Sequence, residues 1–154
     1  SLECTDEEFA EILDTNLQSV FSLTKSVLPG MLERGRGSVI NISSMSALFG
    51  LPEVSAYSSS KTALLGLTRT LSAEYSSQGV RFNCIAPGFI ESKMFRDIMD
   101  RDPAREQKIL GRTPMGRVGQ PEEIGYAVAF LASDASEFIT GICLPVDGGA
   151  AIGF

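Results

Sequence analysis

The chain contains no histidine, so proton transfer near neutrality falls to other side chains. Its three cysteines, Cys4, Cys84 and Cys143, are scattered and form no CxxC pair. That excludes a disulfide framework and a zinc site, and makes a reduced, cytoplasmic compartment the expected one. Basic residues are outnumbered, with 13 Lys+Arg against 19 Asp+Glu for a net charge of -6. A nucleic-acid binder would need the opposite balance to neutralise phosphates. No apolar run reaches the length of a membrane span, and the acidic start is unlike the basic opening of a signal peptide. GxGxxG and GxxxxGK[ST] are both missing, so no such loop cradles a dinucleotide pyrophosphate or a nucleoside triphosphate. Gly35-Arg36-Gly37 is too short to replace them, and it precedes a strand instead of following one.

What is present suits a single α/β domain: 154 residues, 44% hydrophobic, with 15 glycines. Thr5 and Glu8 have capping-box spacing. Behind them Phe9, Ile12, Leu13, Leu17, Val20, Phe21, Val27 and Leu28 keep a helical period. The pattern predicts one amphipathic helix over residues 5–33, bent at Pro29. The acids of its first half form a solvated face. Asn16 interrupts the apolar stripe. It is either a buried amide satisfied by backbone or a positioning residue in a polar network; both readings require partners.

Residues 38–43 read as a buried strand, and 44–52, with Gly50 and Pro52, as the loop at its end. A second helix is expected over 56–77, stopped by Gly79. A strand over 80–86 ends at Pro87-Gly88. Residues 89–117 change character, with five acids, seven bases and weak periodicity. They are expected to form short helices in a mobile substrate-side lid, held by little apolar surface. Their bases suit either the steering of an anionic substrate or a solvated surface. Pro121 opens a third helix that ends near Ser133-Asp134, and 141–146 form a last strand before Asp147-Gly148-Gly149.

Short buried strands alternating with long helices predict a parallel sheet covered on both faces. Three strands alone leave an edge bare. The expected fold class is therefore a partial Rossmann-like, doubly wound α/β domain over residues 1–154, three parallel strands with helices on both faces, and the N-terminal half of the fold absent.

The chemistry gathers around one stretch. Tyr57 and Lys61, four apart on a helix, point from the same face, and Ser44 comes from the preceding loop. A phenol titrates near pH ~10, too high for efficient proton exchange at neutrality. A neighbouring ammonium favours the phenolate and lowers that value. Tyr57 can then exchange a proton with a carbonyl or alcohol oxygen while Ser44 stabilises its developing charge. The plain alternative is a surface tyrosine, a serine-rich helix start and an exposed lysine.

The motifs around this stretch decide between the two. Asn16-Leu17, Asn41-Ile42-Ser43-Ser44, Tyr57-Ser58-Ser59-Ser60-Lys61 and Asn83 through Gly88 follow one another in order. Gly116-Arg117-Val118-Gly119-Gln120-Pro121, Phe130-Leu131-Ala132-Ser133-Asp134 and Val146-Asp147-Gly148-Gly149 complete the series. The chain resembles the C-terminal portion of the short-chain dehydrogenases/reductases, nearest to their 3-oxoacyl-carrier-protein reductase-like branch. The resemblance implies an NAD- or NADP-dependent oxidoreductase that interconverts a carbonyl and an alcohol. Asn16, Ser44, Tyr57 and Lys61 would form the catalytic tetrad, with Tyr57 as acid/base and Asn16 holding a water of the proton relay. Tyr57, Lys61, Pro87, Gly88, Ile90 and Ser92 would meet the cofactor, Ser92 standing where the family usually has threonine. Ser44, Met45, Phe89, Met94 and Phe95 would face a small-molecule substrate. The segment that selects NAD or NADP is expected to be absent, which makes the chain a fragment. A homodimer or homotetramer is implied, with no nucleic-acid or membrane partner. The competing expectation is a truncated, non-catalytic remnant that acts only as an oligomerising or structural protein.

Overall fold

The computed structural model describes residues 1–152. Helix α1 (Asp6–Leu13) opens on the expected reciprocal cap: Thr5 Oγ1 accepts from the Glu8 amide at 3.1 Å, and Glu8 Oε2 from the Thr5 amide at 2.9 Å. A π turn over Asp14–Gln18 leads into α2 (Ser19–Glu33). The interruption thus falls around Asn16 and not at Pro29, which α2 carries in its interior. A π turn accommodates one extra residue per helical turn. Here it lets the Asn16 amide reach the neighbouring helix.

Strands β1 (Gly37–Ile42), β2 (Val80–Pro87) and β3 (Cys143–Val146) form one parallel sheet in the order β1-β2-β3. Val39 lies beside Phe82, Asn41 beside Cys84, and Cys84 beside Cys143. Helix α3 (Ser55–Tyr75) lies over β2 on the same side as α2. Alternation along β2 separates the two faces. Val80 and Phe82 pack on Leu28 and Leu71, and Cys84 on Leu64 and Leu65. Arg81 and Asn83 turn to the other face, where they bond the Ile139 carbonyl at 3.4 and 3.0 Å. Helix α6 (Pro121–Ala132) covers that side, and the Ser38 hydroxyl donates to the Leu131 carbonyl at 2.9 Å.

The expectation of a partial domain lacking its N-terminal half is corrected by this arrangement. The described residues build a three-layered Rossmann-type α/β/α stack. The physical reason lies in β2: it is central, its neighbours pair both of its edges, and helices cover both of its faces. Val80, Phe82, Asn83, Cys84, Ile85 and Ala86 are consequently sealed from solvent. Among the described residues no helix is long and apolar enough to cross a membrane.

Residues 89–117 carry α4 (Lys93–Met99) and α5 (Pro103–Arg112). Phe95, Met99 and Ile109 are buried together against Phe89 and Val118. This region therefore has a small apolar core of its own, where weak anchoring was expected. The spacing of those residues is not periodic in the sequence because they come from two short helices.

Candidate active site

All three strands point the same way, so their C-terminal ends deliver Ser43-Ser44, Pro87-Gly88 and Asp147-Gly148-Gly149 to one edge of the sheet. Parallel α/β folds bind ligands at that edge. The end of β1 is stitched to α3 twice. The Ser43 hydroxyl donates to the Lys61 carbonyl at 2.8 Å, and Lys61 Nζ donates to the Ile42 carbonyl at 3.0 Å. The ammonium lies 5.7 Å from the centroid of the Tyr57 ring. Burial pushes the Lys61 pKa down, with a smaller opposing effect from Cys84. Tyr57 is 38% exposed, so its phenol is open to a bound molecule.

Ser44 opens the short 3-10 turn Met45–Ala47, its Oγ accepting from the Ser46 amide at 3.2 Å. That bond uses a lone pair and leaves the hydroxyl proton available to a substrate oxygen. Met45 is buried in the same loop. On the far side of α3, Asn16 Nδ2 donates to Ser60 Oγ at 3.1 Å, and Ser60 Oγ donates to the Tyr57 carbonyl at 2.7 Å. Asn16 is thus tied to a side chain on the helix that carries Tyr57, which favours the network reading over satisfaction by backbone. Sequence reasoning did not single out Ser60 and Ser43 as connectors. The available signal was Asn16 within the apolar stripe of its helix, a polar group that had to find a partner.

At the ends of β2 and β3 a cavity of about 450 Å³ is lined by Phe89, Ile90, Met115, Arg117, Val146 and Gly148, among others. Gly88 donates to the Val146 carbonyl at 3.0 Å, and a Cβ at position 88 would stand 2.6 Å from the Asp147 Cα. Only glycine permits so close an approach. Ile90 is fixed by a bridge to Gly119, which accepts from the Glu91 amide and donates to the Phe89 carbonyl, both at 2.8 Å. Ser92 Oγ accepts from the Phe95 amide at 3.0 Å and so caps the start of α4. Phe95 is buried in the α4–α5 core, its ring 6.4 Å from that of Phe89. The side chain of Met94 lies outside the described residues. At the rim, Arg117 forms a two-pronged ion pair with Glu123, both bonds 2.7 Å, and Glu123 also accepts from the Gln120 amide. These bonds, that from Arg117 first, lower the Glu123 pKa to about 2.

The family model described as enoyl-(acyl carrier protein) reductase matches residues 1–151. The 3-oxoacyl-[acyl-carrier-protein] reductase FabG of Chlamydia trachomatis is 41% identical over 150 residues, 97% of this chain and 59% of its own length. The chain belongs to the short-chain dehydrogenase/reductase family. The 4-formylbenzenesulfonate dehydrogenase of Comamonas testosteroni, 38% identical, covers 99% of the chain and 61% of itself. The crystal structure of a gluconate 5-dehydrogenase from Burkholderia cenocepacia, in complex with NADP and tartrate, superposes with a TM-score of 0.93 at 33% identity. It covers 97% of this chain, which in turn covers 58% of it. The chain therefore spans about three fifths of the length of these short-chain dehydrogenases/reductases.

Two expectations are corrected by these matches. The family model matches residues 1–151, the whole span of elements from α1 to the turn after β3, where a likeness to a C-terminal portion and a fragment were expected. Reading from catalytic motifs alone weighted the tetrad and the missing glycine loop. Whole-chain comparison instead registers the agreement of every element from α1 to the turn after β3.

Proposed function

We propose that the protein is an NAD(P)-dependent oxidoreductase that interconverts a carbonyl and an alcohol, with Tyr57 as the acid/base. The observation that carries this reading is the fixed placement of Lys61, its Nζ bonded to Ile42 at the end of β1 and 5.7 Å from the Tyr57 ring. With its ring beside that amine, the exposed phenol can give its proton to a carbonyl oxygen and recover it from an alcohol. Ser44 donates its free proton to the same oxygen and stabilises charge developing on it. Asn16, through Ser60, holds the first turn of α3 in register, and a water on Asn16 connects Lys61 to a proton relay.

The cavity fits a nicotinamide. Its walls are largely apolar, and the glycine at 88 lets the end of β2 approach Asp147, which lines it. Pro87, Gly88 and Ile90 would hold the ring, Lys61 the ribose, and the Ser92 hydroxyl a further contact. A bound nicotinamide supplies or accepts the hydride. Residues 89–117 act as a substrate-side lid, with Phe89 and Phe95 in its apolar cluster; Met45 and Met94 are the further residues expected to face the substrate. The varied reactions in the relatives' names, on a 3-oxoacyl carrier protein, a formylbenzenesulfonate and a gluconate, support the reaction type above any one substrate.

Tyr57→Phe removes the proton donor and keeps the ring. Turnover should fall by a factor of about 100 or more, with the circular-dichroism spectrum and melting unchanged. Near-normal turnover in that variant would remove Tyr57 from its role. The bonds that tie Asn16 to Ser60, Ser60 to the Tyr57 carbonyl and Lys61 to Ile42 support catalysis over a purely structural part.

A homodimer or homotetramer is the expected assembly. Phe21, Leu23 and Val27 stand exposed on α2, and Tyr126 and Phe130 on α6. Apolar faces of this kind are covered by partner helices. Light scattering at micromolar concentration should give a multiple of the chain mass, and a strictly monomeric species would contradict it.

A further inference from the structure

The geometry points to Arg112 as the residue that selects carbonyl substrates carrying a carboxylate. The inference takes the proposed reaction as given for its kinetic test, but its binding test stands without it. Arg112 is the last residue of α5, and its guanidinium lies 4.0 Å from the centroid of the Phe49 ring. Phe49 belongs to the active-site loop, its amide donating to the carbonyl of Met45, the residue after Ser44. Immediately beyond Arg112 the chain is clamped on the other side of the site. Thr113 is buried against Gly148, and the Met115 amide donates to the Gly148 carbonyl at 3.1 Å. The end of α5 therefore spans from the loop after β1 to the loop after β3, across the edge where Ser44 and the cavity lie.

Charge singles out this residue among the bases of the region. Arg96 is paired with Glu91 and Glu106, and Arg117 with Glu123. Lys93, Arg101, Arg105 and Lys108 are exposed. Arg112 is half-buried, and among the described residues no acid forms a salt bridge with it. Its Nε is buried without any hydrogen-bond partner. A buried cationic donor without a partner is costly, whereas the same donor bonded to an anion is strongly favourable. Stacking on Phe49 fixes the plane of the guanidinium, and its Nη groups, which carry no hydrogen bond or ion pair among the described residues, are left for in-plane recognition. The group that matches this edge is a planar carboxylate, bound by two parallel N–H···O bonds. A substrate held there by its carboxylate would lie against the loop that carries Ser44.

The decisive pair of probes is acetoacetate and methyl acetoacetate, which share a ketone and differ in charge. With the wild-type chain and NADPH, acetoacetate should have the higher kcat/KM. In Arg112→Met its kcat/KM should fall about 10- to 100-fold, while that for the ester stays within about threefold. Arg112→Lys should restore part of the loss. A role for Arg112 only as a latch on Phe49 would lower both substrates alike, and that result overturns the inference, as does equal use of both by the wild type. Titration of acetoacetate followed by ligand NMR gives a readout without turnover, and binding should weaken by the same factor in Arg112→Met. Tyr57→Phe should keep this binding and turn over neither compound. If the wild type reduces neither compound, the proposed reaction fails, and the titration alone decides Arg112: binding that is absent, or unchanged in Arg112→Met, rejects it.

Discussion

The slab formed by β2 and α3 and the cover formed by α4 and α5 hold their shape in different ways. In the slab, one continuous apolar layer runs along the strand, and Phe82 is sealed between Leu28, Leu71 and Val80. Buried polar groups are paired within it: Asn41 Nδ2 donates to Thr68 Oγ1 at 2.8 Å, and Thr68 meets Cys84 Sγ at 3.0 Å. In the cover, three buried side chains, Phe95, Met99 and Ile109, form a separate cluster, and exposed ion pairs such as Arg96 with Glu106 do the rest. Exposed pairs of that kind contribute little because solvent screens them. The proposed catalytic groups Tyr57 and Lys61 stand on the slab, and Arg112 stands on the cover. On that proposal the chemistry rests on the more deeply packed part and the substrate selection on the part held by fewer buried side chains.

The largest expected effect comes from emptying one aromatic site in each region. Phe82→Ala should cost about 3–5 kcal/mol of global stability, read from urea unfolding, because its cavity is closed on every side. Phe95→Ala should leave the global midpoint nearly unchanged and raise hydrogen exchange over 89–117 alone. Equal global losses from the two would mean that slab and cover unfold as one unit.

A smaller effect is expected at the rim of the cover. Glu123 has a folded-state pKa of about 2, below its ordinary value, through Arg117 first and the Gln120 amide second. A depressed carboxylate stabilises the fold above its unfolded pKa, and that contribution is lost as pH falls from about 4.5 toward 2. Glu123→Gln should therefore lower stability modestly near pH 7, leave it unchanged at the acid end near pH 2, and so flatten the acid limb of a stability–pH curve in that window. Raising the salt should shrink the difference. An acid limb identical to that of the wild type would remove the ion pair from the account.

The same contrast explains what could be read in the chain before folding. The slab was legible because its signals are local. Period-2 and period-3.6 apolar patterns, the Thr5–Glu8 cap, Gly79 in the left-handed region at φ 83° and Pro121 at a helix start each act within a few residues. Tyr57 and Lys61 were legible for the same reason, since four residues of helix fix their common face. The cover was not, because Phe95 and Ile109 become one cluster only when two short helices fold back on each other. The break in the first helix was also misplaced. A proline announces itself locally, but the π turn at Asp14–Gln18 is associated with the bond from Asn16 to Ser60, 44 positions away.

By itself, then, the sequence determined most of the elements, their parallel order and the common face of Tyr57 and Lys61, all of which follow from short-range sterics and the alternation of apolar residues. Tertiary structure alone decided which lone polar groups meet. The contact of Asn16 with Ser60, the anchoring of Lys61 on Ile42 and the stacking of Arg112 on Phe49 each join residues from separate elements. No local pattern encodes such pairings, because burial forces a polar group to find a partner but does not say from how far along the chain that partner comes.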